Sequence, residues 1–316
     1  MKSEPTMIFY GSTILAVPIL NELIKNFHVV AVITNPDNLI GKNKTINVSE
    51  VKKIATNNKI PYFTPNKLDS RFFEQIASIN ADIGIVAAYG KIIPKQYLEH
   101  PFVGCFNVHP SLLPRYRGAT PIQSAIKDGL KQTGFTIIKM NEGLDDGDIV
   151  HSVNIEINEN DNSLTLLERI GHIVSYEIID LIPKLINKKI SPIKQDKQMA
   201  TYCYIKDFTF EKGQIDWNQS VDKVQSHIRA FSPEPRAWSI FQSKKIFILD
   251  AQILDTQETM FNKAGYLYKV NDMLIVGCIE GNLLIKSLQI EGKKTISAKD
   301  FINGHQKDLP YNLLTI

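Results

Sequence analysis

Apolar residues in the first half of the chain fall in short unbroken runs, separated by stretches of helical period. Met7-Ile8-Phe9-Tyr10 reads as a first strand ending in Gly11-Ser12-Thr13, and residues 14–25 then repeat at helical spacing. Residues 29–33 and 83–88 are further β-branched runs. A fourth run (Phe102, Val103, Cys105, Phe106) leads into Asn107, and residues 135–140 complete the series. Continuous rather than alternating runs belong to strands buried on both faces. The pattern therefore predicts an α/β fold with a Rossmann-like, mostly parallel, doubly wound sheet. The Gly11-Ser12-Thr13 turn lacks the G-x-G-x-x-G spacing of a dinucleotide site, which excludes an NAD-linked reading.

Residues 163–187 carry the clearest helical stripe: Leu164, Leu167, Ile170, Val174, Ile178, Leu181 and Leu185, with Asn162 or Ser163 as cap. His172 lies within that helix away from any cluster and reads as structural or solvent-facing. From 188 to 206 the pattern stops, and Lys188, Lys189, Lys194, Lys197 and Lys206 gather around Pro192 in what reads as a basic linker. Beyond it, short apolar segments at 245–249, 265–270, 273–278 and 282–288, separated by turns, predict a small antiparallel β domain. Its size suits a five-stranded barrel of the OB type. The expected organisation is thus a catalytic domain over 1–187, a linker over 188–206 and a β domain over 207–316.

Composition narrows this only slightly. The chain's 316 residues exceed one average domain. With 43% hydrophobic and 22% charged residues it belongs among globular proteins. Its 36 basic against 33 acidic residues leave a net charge of +3, which permits a polyanionic partner without demanding one. Cys105, Cys203 and Cys278 are too widely spaced for a disulfide framework or a metal pattern, as fits a reducing cytoplasm. No apolar stretch approaches the roughly 20 residues of a membrane span. Gly11-Ser12-Thr13 also interrupts the N-terminal apolar run that a signal peptide would need. A cytoplasmic monomer is expected.

The candidate chemistry lies at Asn107-Val108-His109. Asn107 and His109 alternate around Val108, so at a strand end they share one face. The loop that follows, to Gly118, is stiffened by Pro110 and Pro114, and Leu113–Pro114 is a candidate cis bond. Leu144-Asp145-Asp146-Gly147-Asp148 can return a carboxylate to the imidazole. An amide donor, an imidazole and a carboxylate, with no serine or cysteine nucleophile, suit direct acyl transfer to an amine. The three acids lack the wider spacing and closing glutamate of a calcium loop, so no metal is expected. Spacing alone leaves Asp145, Asp146 and Asp148 all eligible.

Asn-x-His-x-Ser-Leu-Leu-Pro-x-x-Arg-Gly followed by Asp-x-Gly resembles the formyltransferases that use 10-formyltetrahydrofolate. The likeness continues through Ala119-Thr120-Pro121-Ile122-Gln123, Ile215-Asp216-Trp217 and the motif from Arg229 to Trp238. There the chain is similar to members that formylate the methionine of initiator Met-tRNA, for translation initiation. The resemblance implies the formyltransferase fold with a C-terminal OB-like domain, and 10-formyltetrahydrofolate as co-substrate. It implies Asn107, His109 and Asp145 as catalytic residues, Asp145 being selected because Gly147 stands two places after it. Asn107 and protonated His109 would donate to the developing oxyanion, while Asp145 orients the imidazole and relays the proton of the amine. Ala88, Tyr89, Gly90 and Ile92 with Ser111, Leu112, Leu113 and Pro114 are implied as the folate pocket. The matching tRNA loop carries Lys42 and Lys44. Lys188, Lys189, Lys194 and Lys197 of the linker, with Arg229, Arg236, Lys244 and Lys245 beyond it, can form a discontinuous basic track.

Departures from the family pattern are local. Gly41-Lys42-Asn43-Lys44-Thr45 stands where the family has Gly-Arg-Gly-Lys-Lys, and a lysine cannot reproduce the bidentate arginine fork. Tyr116 replaces a frequent tryptophan, and Ser12-Thr13-Ile14 a frequent Gly-Thr-Pro. Sugar-nucleotide N-formyltransferases and 10-formyltetrahydrofolate hydrolases share the same three catalytic residue types. The C-terminal likeness and the basic linker favour the tRNA acceptor.

Overall fold

A computed structural model describes residues 4–40, 45–254 and 263–313. The chain forms two compact units, neither of them continuous in sequence. The first comprises Met1–Ala119, Gln132–Glu156 and Leu167–Tyr202, and the second Thr120–Lys131, Ile157–Leu166 and Cys203–Ile316.

The first unit is built on a seven-stranded sheet. From one edge its strands run Asp148–Glu156, Gln132–Lys139, Cys105–His109, Ile83–Ala87, Thr6–Gly11, His28–Ile33 and Tyr62–Phe63. The last five pair in parallel, as the continuous apolar runs predict. Met7, Ile8, Phe9 and Tyr10 are wholly buried, as are Ile19, Leu20 and Leu23 of helix Ala16–Asn26, which lies against strand His28–Ile33. The run at 135–140 departs from the parallel series, since Gln132–Lys139 lies antiparallel to Cys105–His109 and carries a second antiparallel edge, Asp148–Glu156. The strand expected to begin at Phe102 begins at Cys105. Gly104, at φ +100°, separates the two, and Phe102 is 83% exposed in the preceding turn.

The long helix spans Ser163–Ile186, and Asn162 caps it by accepting from the N–H groups of Leu164 and Thr165. Its buried stripe runs through Leu166, Ile170, Val174, Ile178 and Leu181, with Leu166 taking the place expected of Leu164, which is exposed. His172 faces solvent.

In the second unit all strand pairings along the sheet are antiparallel. The order is Ala237–Phe241, Lys244–Ile253, Asn282–Ile290, Met273–Gly277, Tyr266–Val270 and Tyr311–Asn312, with Ile296–Ser297 joined to Asn282–Ile290. The sheet curls into a nearly closed barrel. Phe241, Phe301, His305 and Tyr311 pack ring to ring inside this unit. Helix Val221–Phe231 lies against strand Lys244–Ile253 and against helix Pro121–Lys127.

Candidate active site

Strand Cys105–His109 sits between a parallel and an antiparallel neighbour, where Asn107 is level with Val86 and with Ile138. The strand's carboxyl end is where ligands bind in open α/β sheets. His109 is buried, and each of its ring nitrogens faces a protein oxygen. Nε2 lies 2.8 Å from the Tyr116 carbonyl. A carbonyl only accepts, so Nε2 carries the proton. Nδ1 lies 3.5 Å from Asp145 Oδ2, a contact that becomes an ion pair once Nδ1 is also protonated.

Asp145 collects the remaining partners. Its Oδ2 accepts from the Gly118 N–H at 2.9 Å and its Oδ1 from Asn107 Nδ2 at 3.3 Å. The three residues that the motif selects are therefore adjacent. Among the described residues Asp145 is the carboxylate that reaches Asn107 and His109; Asp146 and Asp148 do not. The turn is compact for a steric reason, since a Cβ on Gly147 would fall on the Lys139 carbonyl oxygen. Asp145 at φ +49°, Tyr116 at +58° and Ala88 at +47° all hold left-handed backbone around this site. Such conformations cost of order 1–3 kcal/mol each and gather where geometry must be over-determined.

The pocket residues divide by what their side chains touch. Tyr89 turns its ring into the core against Tyr10, with centroids 5.9 Å apart, and burial pushes its phenol up to about 12. Its carbonyl accepts from Asn35 Nδ2 at 3.0 Å, so backbone rather than phenol shapes the loop at Ala88 and Gly90. Ile92 is 89% exposed. Ser111 is wholly buried, donating to the Arg115 carbonyl at 2.7 Å, while Thr136 donates to the Ser111 carbonyl and accepts from the Leu113 N–H. These bonds fix the loop carrying Leu112, Leu113 and Pro114, in which the Leu113–Pro114 bond is cis.

The basic positions are scattered. Lys42 and Lys44 lie outside the described residues. Lys188 and Lys189 are exposed just past the end of Ser163–Ile186, where cations complement the helix dipole. Arg229 is directed into its own unit: Nε donates to Gln225 Oε1 at 2.9 Å, and Nη1 to the carbonyls of Asp161 at 2.9 Å and Asn158 at 3.3 Å. Arg236 is likewise engaged, by Glu234 and Gln289.

Two residues of the site give no signal in the sequence. Gln195 and Thr201 belong to the stretch whose composition reads as a linker. Gln195 donates to the carbonyls of Asp145 and Gly147 and accepts from Arg117. Thr201 accepts from the Tyr116 N–H at 2.8 Å. Among the described residues no cluster of three His, Cys, Asp or Glu side chains could hold a metal ion, and no helix is long and apolar enough to cross a membrane.

Two family models match the chain: formyl transferase over residues 6–180, and formyl transferase C-terminal domain over 208–306. Among curated relatives, the methionyl-tRNA formyltransferase of Thermodesulfovibrio yellowstonii is 38% identical over 302 residues, covering 95% of this chain and 96% of that one. The enzyme of the same name from Pseudoalteromonas translucida is also 38% identical, covering 94% and 93%. Among solved structures, WlaRD, a sugar 3N-formyl transferase crystallised with dTDP and 5-N-formyl-THF, superposes at a TM-score of 0.68 with 22% identity over 93% of this chain and 100% of that one. A methionyl-tRNA formyltransferase from Clostridium thermocellum gives 0.56 with 21% identity, covering 80% and 94%. At these identities the two structures speak for the fold.

Proposed function

The chain belongs to the formyl transferase family, and from that premise we propose that it transfers the formyl group of 10-formyltetrahydrofolate to the α-amino group of methionine on initiator Met-tRNA. The observation that carries the choice of acceptor is the extent of the likeness. Relatives named for Met-tRNA match about 95% of the chain, the C-terminal unit included.

The amine attacks the formyl carbon, the carbonyl oxygen gains charge, and the nitrogen must lose a proton. The amide of Asn107 has two N–H bonds; with one on Asp145, the other is the donor for that oxygen. Both nitrogens of His109 face protein oxygens, so we assign it a different part from direct donation to the oxyanion. Once it holds the proton taken from the amine, its Nδ1 faces the Asp145 carboxylate as a cation. The Asp145–His109 pair takes up the proton that the amine releases and returns it to N10 of the folate, which leaves as N–H when the C–N10 bond breaks and the carbonyl reforms.

The peptide groups of Ala88–Gly90, turned by positive φ at Ala88 and Gly90, suit hydrogen bonding to a pterin edge, and the Ser111–Pro114 loop suits its opposite flank. In this reading residues 1–187 carry the chemistry, while the lysines past the long helix and the domain from 207 onward extend contact along the tRNA. A monomer acting in the cytoplasm fits such work.

The test offers purified protein 10-formyltetrahydrofolate with Met-tRNA, a dTDP-amino sugar, or water alone. Formyl transfer to Met-tRNA at a kcat/KM at least about a hundredfold above that for the amino sugar is expected. Preference for the sugar, or release of formate without an acceptor, contradicts the reading.

A further inference from the structure

Residues 191–199 are exposed throughout, with one exception: Gln195, which turns inward. The segment is tethered on both sides of it. Ile193 exchanges two backbone hydrogen bonds of 2.8 Å with Ile149, and the Thr201 carbonyl accepts from the Arg117 N–H at 2.8 Å.

The Gln195 carboxamide uses its whole hydrogen-bonding capacity. Nε2 donates to the Asp145 carbonyl at 2.8 Å and the Gly147 carbonyl at 2.7 Å, and Oε1 accepts from Arg117 Nε at 3.1 Å and Nη2 at 2.7 Å. The reversed amide would set an oxygen against two carbonyls, so the partners fix its orientation. Arg117 is buried, and the next residue, Gly118, donates to the Asp145 carboxylate. One amide therefore grips both sides of that hydrogen bond: the left-handed turn that presents Asp145 and the strand that presents Gly118. Thr201, from the same strap, fixes the Tyr116 peptide whose carbonyl meets His109 Nε2.

We propose that Gln195 is a positioning residue for formyl transfer, holding the Asp145 carboxylate in register with Asn107, His109 and the Gly118 N–H. This rests on the reading that Asp145 serves the transfer. Misplacing a reacting group by about 1 Å can cost roughly a hundredfold in rate, so a group that touches no substrate can still govern kcat.

Gln195→Glu separates positioning from simple anchoring. It keeps the side-chain length and the Arg117 contact, but it puts oxygen against the Asp145 and Gly147 carbonyls. A kcat for Met-tRNA lowered by about tenfold or more is expected, with KM for donor and tRNA within about twofold. Faster hydrogen exchange at the Gly118 amide is expected too. If Gln195 only anchors Arg117, the glutamate serves equally well; wild-type kcat with unchanged Gly118 exchange overturns the proposal. Gln195→Met, of equal length and without donors, carries the same test should the glutamate variant not fold, and wild-type turnover there also overturns it. Gly118 exchange needs no substrate. If the wild-type protein does not formylate Met-tRNA, the functional reading fails by itself, and the exchange result still decides the positioning: faster supports it, unchanged overturns it.

Discussion

Asp145 and Arg229 are both charged side chains set close to backbone, and the molecule uses them in opposite ways. Around Asp145 the partners come from two other elements: an amide and an imidazole on strand Cys105–His109, and the Gly118 N–H of the short strand Arg117–Gly118. Around Arg229 the charge is turned onto carbonyl oxygens of its own unit, at Asn158 and Asp161. On the proposed function, the first arrangement serves the chemistry and the second holds the fold together. Lys188 and Lys189 are a third case, exposed and open to solvent, as phosphate contacts that exchange counterions require.

The sharpest break of this contrast lies on the Asp145 side. Asn107→Ala and His109→Ala should each lower single-turnover formyl transfer by about two orders of magnitude or more. A loss below about tenfold in either would remove that residue from the chemistry.

On the opposite side, Arg229→Ala should cost about 2 kcal/mol of stability, because the carbonyls it serves are deprived of charge-assisted bonds. Urea unfolding measures this, and tRNA affinity of the folded variant should hold. Normal stability with weakened tRNA binding would move Arg229 into the class of Lys188 and Lys189. Replacing those two lysines by alanine should raise KM for Met-tRNA a few-fold and make its salt dependence shallower by about one for each phosphate no longer neutralised. An unchanged slope would leave both as ordinary surface charges.

The smallest effect concerns His227, whose ring stacks on Phe231 at 4.4 Å. Burial lowers its pKa below the ordinary 6.5, outweighing the Gly213 carbonyl near its Nε2. The unfolded chain therefore takes up the proton first as pH falls. This contribution is complete above the ordinary imidazole range and is lost as pH falls through it toward the lower folded value. His227→Phe should flatten the decline in stability between about pH 7.5 and 5.5, the window around an ordinary imidazole, and an unaltered slope would exclude His227 as its source.

How much of this can be read from residues alone follows from the type of signal each part leaves. Asn107 and His109 are legible because strand alternation places them on one face, and the continuous apolar runs mark the parallel strands. Asp148–Glu156 is not, because as an edge strand with mixed burial it shows no unbroken run. Tyr62–Phe63 is too short to leave a pattern. Phe102 looks like strand because hydrophobicity is continuous there, but Gly104 interrupts the backbone. Gln195 leaves no trace, since a lone glutamine among exposed lysines has the composition of a linker whatever its carboxamide grips. The commitment of Arg229 to carbonyls of residues about 70 positions away is equally invisible in local sequence.

The proposed function turns on the carboxylate of Asp145, organised by Asn107, His109 and Gly118, as the group that drives formyl transfer to Met-tRNA. Asp145→Asn tests it most directly. Asparagine tolerates the left-handed backbone at that position and can still accept from the Gly118 N–H, so the fold and the turn are kept while the charge is removed. Under single-turnover conditions with saturating 10-formyltetrahydrofolate and Met-tRNA, a rate at least about a hundredfold below wild type is expected. A rate within about threefold of wild type would contradict it.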